Sequence, residues 1–203
     1  WIHESERVYG DRLVSFMDQK KYKELAVEQA KKYFKEMSPT ALTSEPLIFA
    51  HFAGGIGEKN YDKLNTFAEL SGLLEGALGE YNEANAVMDL VLFEDAMRHI
   101  CRISRIIEAP NGHALLVGVG GSGKQSITKL AAFTADVDVF SITLTRGYNE
   151  QLFREDLKGL YQQLAVKPTA FLFTDAHVAE EGFLELINNM LTSGMVPALY
   201  EES

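Results

Sequence analysis

The chain has 203 residues, of which 46% are hydrophobic and 24% are charged, and these proportions are those of an ordinary globular protein. A formal net charge of −10 argues against nucleic acids or anionic membranes as partners, because both require a basic surface. Cys101 is the only cysteine, which excludes an intrachain disulfide, and no apolar run approaches the ~18 residues of a membrane span.

The first part of the chain is predicted to be helical. Apolar residues among charges predict one helix over 1–14 and a second, rich in Lys, Glu and Ala, over about 21–37. The sequence Ser38-Pro39-Thr40 ends this helical pattern, since proline breaks a helix. Residues 46–60 contain a short apolar run that is ended by glycines, which favours an irregular connector, with an edge strand as one way for it to begin.

Two more helices are predicted before the middle of the chain. The first is moderately amphipathic and covers 61–79, and Asn82 or Asn85 is expected to cap the second. The second helix carries an apolar face at three- and four-residue spacing: Phe93, Ala96, Met97, Ile100, Ile103 and Ile107. Since its other face is charged, we expect it to lie against a core rather than to bind a partner. Cys101 falls on the apolar side, where a thiol behaves as a small hydrophobe.

From residue 113 onward, strands and helices alternate, which is the pattern of a βαβ array. Strands are predicted over 113–117, 137–144 and 169–174, and the first is expected to be buried. Helices are predicted over 124–133, 149–165 and 180–191, the last stopped by Ser193-Gly194. The predicted fold class is therefore α/β.

A glycine loop joins the first of these strands to its helix, in the sequence HALLVGVGGSGKQS at 113–126. Gly118, Gly123 and Lys124 match the first seven positions of the P-loop pattern G-x-x-x-x-G-K-[ST], which surrounds nucleotide phosphates with backbone N–H groups and a lysine. The eighth position differs, because Gln125 replaces the hydroxyl residue that reaches Mg²⁺.

The same glycines leave two alternatives to a phosphate loop. One is a mere tight turn. The other is the dinucleotide pattern G-x-G-x-x-G, which Gly118, Gly120 and Gly123 also satisfy. That pattern requires an acidic residue at the far end of the second strand, whereas Asp136 and Asp138 stand at its start. It also leaves Lys124 unexplained, so phosphate binding is the favoured hypothesis.

Hydrolysis would require Mg²⁺ and a carboxylate that positions the attacking water, normally an Asp-Glu pair at the tip of the third strand. Here that strand ends Phe173-Thr174-Asp175-Ala176, with one carboxylate. Either Asp175 is the metal-side acid and Ala176 replaces the catalytic Glu, or Thr174 replaces the metal acid and Asp175 is a shortened base. Ser126 would substitute for the missing metal hydroxyl if the loop shifts. Slow or absent turnover is predicted in both registers.

Two further side chains have competing interpretations. His177 follows Asp175 by two positions and is either a replacement base or an exposed loop histidine. Arg146 lies just past the second strand and either contacts a nucleotide or a neighbour, or belongs to an ordinary surface turn. The sequence alone separates neither pair of alternatives.

The segments GVGGSGKQS, FLFTD and the long amphipathic helix before them resemble the fourth AAA+ module of dynein heavy chains of the axonemal kind. The opening residues are similar to the last helices of the third module. The resemblance implies a partial P-loop AAA+ core with three layers and a parallel sheet, preceded by a helical segment. Its implied division is 1–37 for the end of the preceding module, 38–82 for a connector, and 83–203 for part of the large subdomain of a longer polypeptide.

The resemblance also implies a set of site residues. The phosphates of ATP or ADP would be held by Gly118, Val119, Gly120, Gly121, Ser122, Gly123, Lys124, Gln125 and Ser126. Val91 and Leu92 would lie near the adenine, Asp175 with Thr174 would occupy the acid position, and Ser126 with Asp175 would face Mg²⁺. Cytoplasmic relatives have a Thr after the lysine and an Asp-Glu pair, so this chain departs from them at both places.

The implied function is a regulatory nucleotide-binding module in a six-module ring motor that walks on microtubules. Its implied partners are the neighbouring AAA+ modules, and, through the whole motor, microtubules and the dynein intermediate and light chains. The implied location is the cytoplasm, the cytoskeleton and the axoneme of cilia and flagella. The alternatives are an active ATPase module and a nucleotide-free structural spacer. A nucleoside kinase is a fourth option, which is disfavoured because this sequence shows no phosphate-acceptor site with clustered arginines.

Overall fold

The N-terminal segment is helical in the computed structural model, which describes residues 1–36, 38 and 44–200. Helix α1 spans Ile2–Val8 and helix α2 spans Phe16–Tyr33, with a 3-10 turn at Gly10–Arg12 between them. The prediction of a single helix over 1–14 is therefore correct for its first half and wrong for the residues after Val8. The chain comes close to α2 there, because a Cβ on Gly10 would lie 3.1 Å from the ring of Tyr22. Residues 37 and 39–43, with the predicted helix end and proline break, lie outside the described residues.

A short antiparallel ladder follows, made by strands β1 (Ile48–Ala50) and β2 (Asp62–Leu64), with Phe49 opposite Lys63. The edge strand considered for the connector is thus present. Helix α3 spans Phe67–Ala84, so the helix predicted from residue 61 begins too early. Its start is determined by Thr66, whose side chain accepts a hydrogen bond from the Glu69 N–H at 3.1 Å and satisfies a free donor of the first turn.

Helix α4 (Glu94–Glu108) is the amphipathic helix that the sequence predicted. Most of its predicted apolar face is confirmed, because Ala96, Met97, Ile100, Cys101 and Ile103 are buried and Ile107 packs against the same core. Phe93 is the exception, since it precedes the helix and is 61% exposed. The predicted caps are wrong, because Asn82 belongs to α3, Asn85 ends α3, and Phe93 precedes α4. Burial raises the pKa of the Cys101 thiol to about 12, which fits the predicted role of a small hydrophobe.

From residue 124 onward, the chain alternates helices and strands as predicted. Its elements are α5 (Lys124–Thr134), β3 (Asp138–Phe140), α6 (Glu150–Leu164), β4 (Thr169–Phe171) and α7 (Gly182–Ser193). β3 and β4 pair in parallel, with Val139 opposite Ala170. The fold class is therefore α/β, and each of the two strands is shorter than its predicted run.

The strand predicted over 113–117 is not formed in the described structure. Leu115 is 90% exposed and Val117 is 88% exposed, whereas Leu116 packs against the core. A strand buried on both faces requires a layer of side chains on each side. Here the core covers only Leu116, so the expected buried strand is instead a segment without regular structure that lies mostly in solvent.

Two apolar clusters organise the described residues. The first joins β1, β2, α3, α4 and α5, and its fully buried members include Phe52, Leu70, Leu74, Ile100 and Leu130. The second joins α6 and α7 with the segments around them, through Phe153, Leu157, Leu160 and Phe183. Among the described residues, no helix is both long and apolar enough to cross a bilayer.

The charged face of α4 contacts the N-terminal segment. Arg105 Nε donates a hydrogen bond to Glu4 Oε2 at 2.8 Å, and the Tyr61 hydroxyl donates to Glu4 Oε1 at 2.5 Å. Burial acts to raise the pKa of Glu4, but the hydrogen bonds from Arg105, Tyr61 and His3 outweigh it and lower that pKa to about 2. A second ion pair joins Arg102 to Asp11 at 3.1 Å. These contacts attach the first helices to the rest of the chain.

Candidate functional site

The glycine loop leads directly into α5, whose first residue is Lys124. Gly121 has φ of +74° and Gly123 has φ of +76°, a left-handed conformation that side chains with a Cβ adopt only with strain. Gly118, Val119, Gly120, Gly121 and Ser122 are exposed. The loop therefore presents its backbone to solvent at the amino end of a helix.

The Lys124 side chain folds back over this loop. Its Nζ donates hydrogen bonds to the carbonyl oxygens of Gly118 at 2.8 Å and Val119 at 2.7 Å, and to Ser122 Oγ at 3.2 Å. A lysine ammonium has three donors and no acceptor, so these contacts use its full capacity. The positive charge is consequently held at the loop instead of extending into solvent.

The amino end of α5 fits a phosphate group. The first hydrogen bond into α5 runs from the Ile127 N–H to the Gly123 carbonyl at 2.9 Å. Within the described chain, the N–H groups of Lys124, Gln125 and Ser126 have no backbone acceptor. Free N–H groups and the positive end of the helix dipole attract anions, and Lys124 adds a full charge. The residues present therefore suit a nucleotide's phosphates.

Leu90 lies beside the loop, although the sequence pointed to its neighbours. A Cβ built on Gly123 would lie 3.9 Å from Leu90 Cδ1. Leu92 packs against the first apolar cluster, and Val91 is 74% exposed. Of these three residues, Leu90 is the one that the described contacts bring to the glycine loop. Leu90 lies in a segment between α3 and α4 that has no regular secondary structure and no periodic sequence signal.

The tip of β4 carries the predicted acid position. A 3-10 turn spans Asp175–His177, and Thr174 precedes it in extended conformation. Asp175 is exposed and, among the described residues, its carboxylate makes no hydrogen bond or ion pair. The Thr174 hydroxyl is buried and lies on the His177 side of the turn, in the arrangement of a capping box. Asp175 is therefore the group at this tip whose oxygens face solvent.

His177 is held by the backbone rather than free in a loop. Its Nδ1 accepts a hydrogen bond from the Thr174 N–H at 3.1 Å, and its ring lies 5.7 Å from the ring of Phe173. Burial lowers the pKa of His177, while the charge of Asp175 acts in the opposite direction. In the neutral imidazole one nitrogen accepts and the other carries the proton. Because Nδ1 accepts here, Nε2 carries the proton, and the ring has no free lone pair with which to act as a base.

The predicted metal-side residues, Ser126 on α5 and Asp175 at the tip of β4, both carry oxygen donors. Mg²⁺ prefers oxygen ligands and is usually held by one or two carboxylates together with substrate phosphates. Asp175 supplies an exposed carboxylate, and Ser126 supplies a hydroxyl that has no hydrogen bond in the described structure. Gln125 is exposed and offers an amide oxygen. Among the described residues, no group of three or more His, Cys, Asp and Glu side chains is placed to hold a metal ion by itself.

Arg146 lies in an exposed turn, where the Tyr148 N–H bonds to the Thr145 carbonyl at 3.1 Å and Gly147 has φ of +79°. This is the surface-turn alternative of the sequence analysis. Within the described chain, Arg146 makes no hydrogen bond or ion pair that would connect it to the glycine loop or to Asp175. Contact of Arg146 with a nucleotide or a neighbour stays a prediction.

Comparison with known families matches two parts of the chain. Residues 88–203 match the family described as the P-loop containing dynein motor region D4, and residues 1–44 match the AAA+ lid domain. The first match covers the glycine loop, α5, the β4 tip and all elements after them. The second covers the helices whose acidic residues bind the charged face of α4.

Similar curated proteins are heavy chains of axonemal dyneins. The chain is 52% identical to dynein axonemal heavy chain 17 of Homo sapiens and 48% identical to the ciliary dynein beta chain of Tripneustes gratilla, each match covering 100% of this chain and 5% of the relative. It is also 48% identical to the dynein alpha chain of the flagellar outer arm of Chlamydomonas reinhardtii, with the same coverage. The chain thus spans about one twentieth of these relatives. The chain belongs to the family of the P-loop containing dynein motor region D4, an AAA+ region, and its similarity to axonemal heavy chains extends over its whole length.

Proposed function

We propose that this chain is a regulatory AAA+ module that binds ATP or ADP within a microtubule-based dynein motor, with slow or no hydrolysis. The observation that carries the proposal is the amino end of α5, where left-handed Gly121 and Gly123 expose the loop backbone and Lys124 holds its charge over it. On nucleotide binding, Lys124 would exchange its loop carbonyls for phosphate oxygens. This exchange retains charge-assisted hydrogen bonds to the ammonium.

Slow turnover is supported by the groups around the phosphate end of the site. Gln125 stands where a Ser or Thr hydroxyl normally reaches Mg²⁺, and Ala176 follows the single carboxylate of Asp175. His177 does not compensate, because its Nδ1 lone pair is bonded to the Thr174 N–H. Loss of one such stabilising group typically lowers a rate by ~10²-fold or more. Mg²⁺, when bound, would neutralise phosphate charge, with Ser126 and Asp175 as its protein ligands.

The proposed setting follows from the names of the relatives. They are axonemal, ciliary and flagellar dyneins, so we place this chain in the axoneme of a cilium or flagellum, within the cytoskeleton. Its direct partners would be the neighbouring AAA+ modules of the same heavy chain. Microtubules and the intermediate and light chains would be partners of the whole motor. Residues 1–37 would belong to the preceding module, 38–82 to a connector and 83–203 to the large subdomain.

Calorimetric titration of the 203-residue chain with ADP tests nucleotide binding. Lys124→Ala should weaken ADP binding by about 10- to 100-fold, because it removes a charged hydrogen-bond donor from the phosphates. Lys129→Ala, on the same helix but outside the loop, is the matched control and should bind like the wild type. Equal affinities of the wild type and Lys124→Ala would refute the proposal. Absence of any ADP or ATP binding would favour the structural spacer.

Single-turnover release of phosphate from ATP tests the hydrolysis part. The regulatory module predicts slow release, with little difference between the wild type and Asp175→Ala. Rapid, Mg²⁺-dependent release that Asp175→Ala abolishes would instead establish the alternative of an active ATPase. The same assay on Gln125→Thr measures whether restoring a hydroxyl at the eighth P-loop position increases the rate.

A further inference from the structure

The turn at the tip of β4 is closed by two reciprocal hydrogen bonds. The Thr174 N–H donates to His177 Nδ1 at 3.1 Å, and the His177 N–H donates to the Thr174 carbonyl at 2.9 Å. Asp175 lies between the two residues that these bonds join. The direction of its side chain therefore depends on the geometry of the closed turn.

The imidazole is also attached to the apolar core. Its ring lies 5.7 Å from Phe173, and Phe173 lies 5.8 Å from the fully buried Phe153 of α6. Thr174 and His177 face each other across the turn in the arrangement of a capping box, in which each side chain approaches the backbone N–H of the other residue. His177 is thus the side chain that connects the strand exit, by hydrogen bond and by ring contact, to the second apolar cluster.

We propose that His177 is a positioning residue that fixes the turn around Asp175 and so orients its carboxylate toward the divalent cation of a bound nucleotide. This inference rests on the proposed nucleotide-binding function. It assigns to His177 a role that is neither a base nor a loop residue: its Nδ1 accepts a backbone N–H, and its effect on the cation passes through Asp175. The side chain does not touch the nucleotide in this role.

Two substitutions separate the acceptor atom from the shape of the ring. His177→Asn keeps an acceptor, since Oδ1 of asparagine is bonded to Cγ as Nδ1 of histidine is. His177→Phe keeps an aromatic ring against Phe173 but removes the acceptor, which leaves the Thr174 N–H without its partner. Asp175→Asn serves as the reference for loss of the carboxylate itself.

The first readout is the ratio of the ADP dissociation constants of the 203-residue chain in EDTA and in saturating Mg²⁺, measured by calorimetry. His177→Phe should reduce this Mg²⁺ ratio by about tenfold while leaving the affinity in EDTA unchanged. His177→Asn should retain the wild-type Mg²⁺ ratio, and Asp175→Asn should reduce the ratio to one. The second readout is hydrogen exchange at the Thr174 amide, whose protection should fall in His177→Phe and persist in His177→Asn. General loss of stability would change affinity in EDTA as well.

Each contrary result is distinct. A wild-type chain that binds ADP in neither buffer refutes the proposed function and this inference with it. A wild-type chain that binds ADP equally in both buffers refutes the inference and the proposed Mg²⁺ ligation by Asp175, but leaves the proposed nucleotide binding intact. The inference also fails if His177→Phe keeps the full Mg²⁺ ratio or the Thr174 amide protection, or if His177→Asn loses either of them.

Discussion

The ion pair between Glu4 and Arg105 makes a quantitative prediction about how the N-terminal helices are held. Glu4 has its pKa lowered from 4.5 to about 2, which would correspond to roughly 3 kcal/mol if the interaction were fully shielded from water. The Glu4 side chain is 40% exposed, so solvent screening reduces the expected contribution to about 1 kcal/mol. We therefore expect Glu4→Gln to lower the free energy of unfolding at pH 7 by about 1 kcal/mol.

The pH dependence has a defined sign. Because the pKa of Glu4 is lower in the folded chain, its contribution is fully present above pH 4.5 and is lost as the pH falls toward 2. Urea unfolding of the wild type and Glu4→Gln should thus differ at pH 7 and converge near pH 2. Glu24→Gln, an exposed glutamate on α2, is the control and should change little at either pH. A Glu4→Gln effect that stays constant from pH 7 to pH 2 would refute the assignment.

Three other predictions concern the loop and the first apolar cluster. Gly123→Ala should destabilise the chain by about 1–2 kcal/mol and weaken ADP binding, because φ of Gly123 is +76°. Gly120→Ala is the control: its added Cβ meets no atom within 4 Å, so it should have a smaller effect on urea unfolding. Ile100→Ala should lower the unfolding free energy by about 2–5 kcal/mol, since this side chain is fully buried on α4, and a loss below about 1 kcal/mol would contradict the packing. Cys101 should resist Ellman's reagent at pH 8 in the native chain and react in denaturant, because burial raises its pKa to about 12 and the thiolate is the reactive form. Rapid native labelling would show that α4 opens readily.

Local patterns were sufficient where a structural feature depends on neighbours in the sequence. The apolar face of α4 follows from helical spacing, and Ile100 and Ile103 are buried as predicted. The α/β alternation and the family were likewise evident before the structure, because each element carries its own periodicity and the loop its own glycines. The end of α7 was likewise predicted from local sequence, because Gly194 follows the helix and adopts the left-handed conformation, with φ of +73°.

Other features depend on residues that are distant in sequence. The segment at 113–117 has the composition of a buried strand, but its burial is decided by which layers cover it, and Leu115 remains in solvent. Leu90 reaches the glycine loop from a segment without periodicity. The Glu4–Arg105 contact joins positions 101 residues apart, and no local pattern encodes such a pairing.

The sequence by itself determined the chemistry available at the candidate site: a lysine and glycines for phosphate, one carboxylate at the strand tip, and no hydroxyl at position 125. Only the tertiary structure decided how those groups are held. The role of His177 is the clearest case, because the tautomer of a histidine depends on which atom contacts each ring nitrogen. The Thr174 N–H occupies Nδ1, and this contact is a property of the folded turn rather than of the residue type.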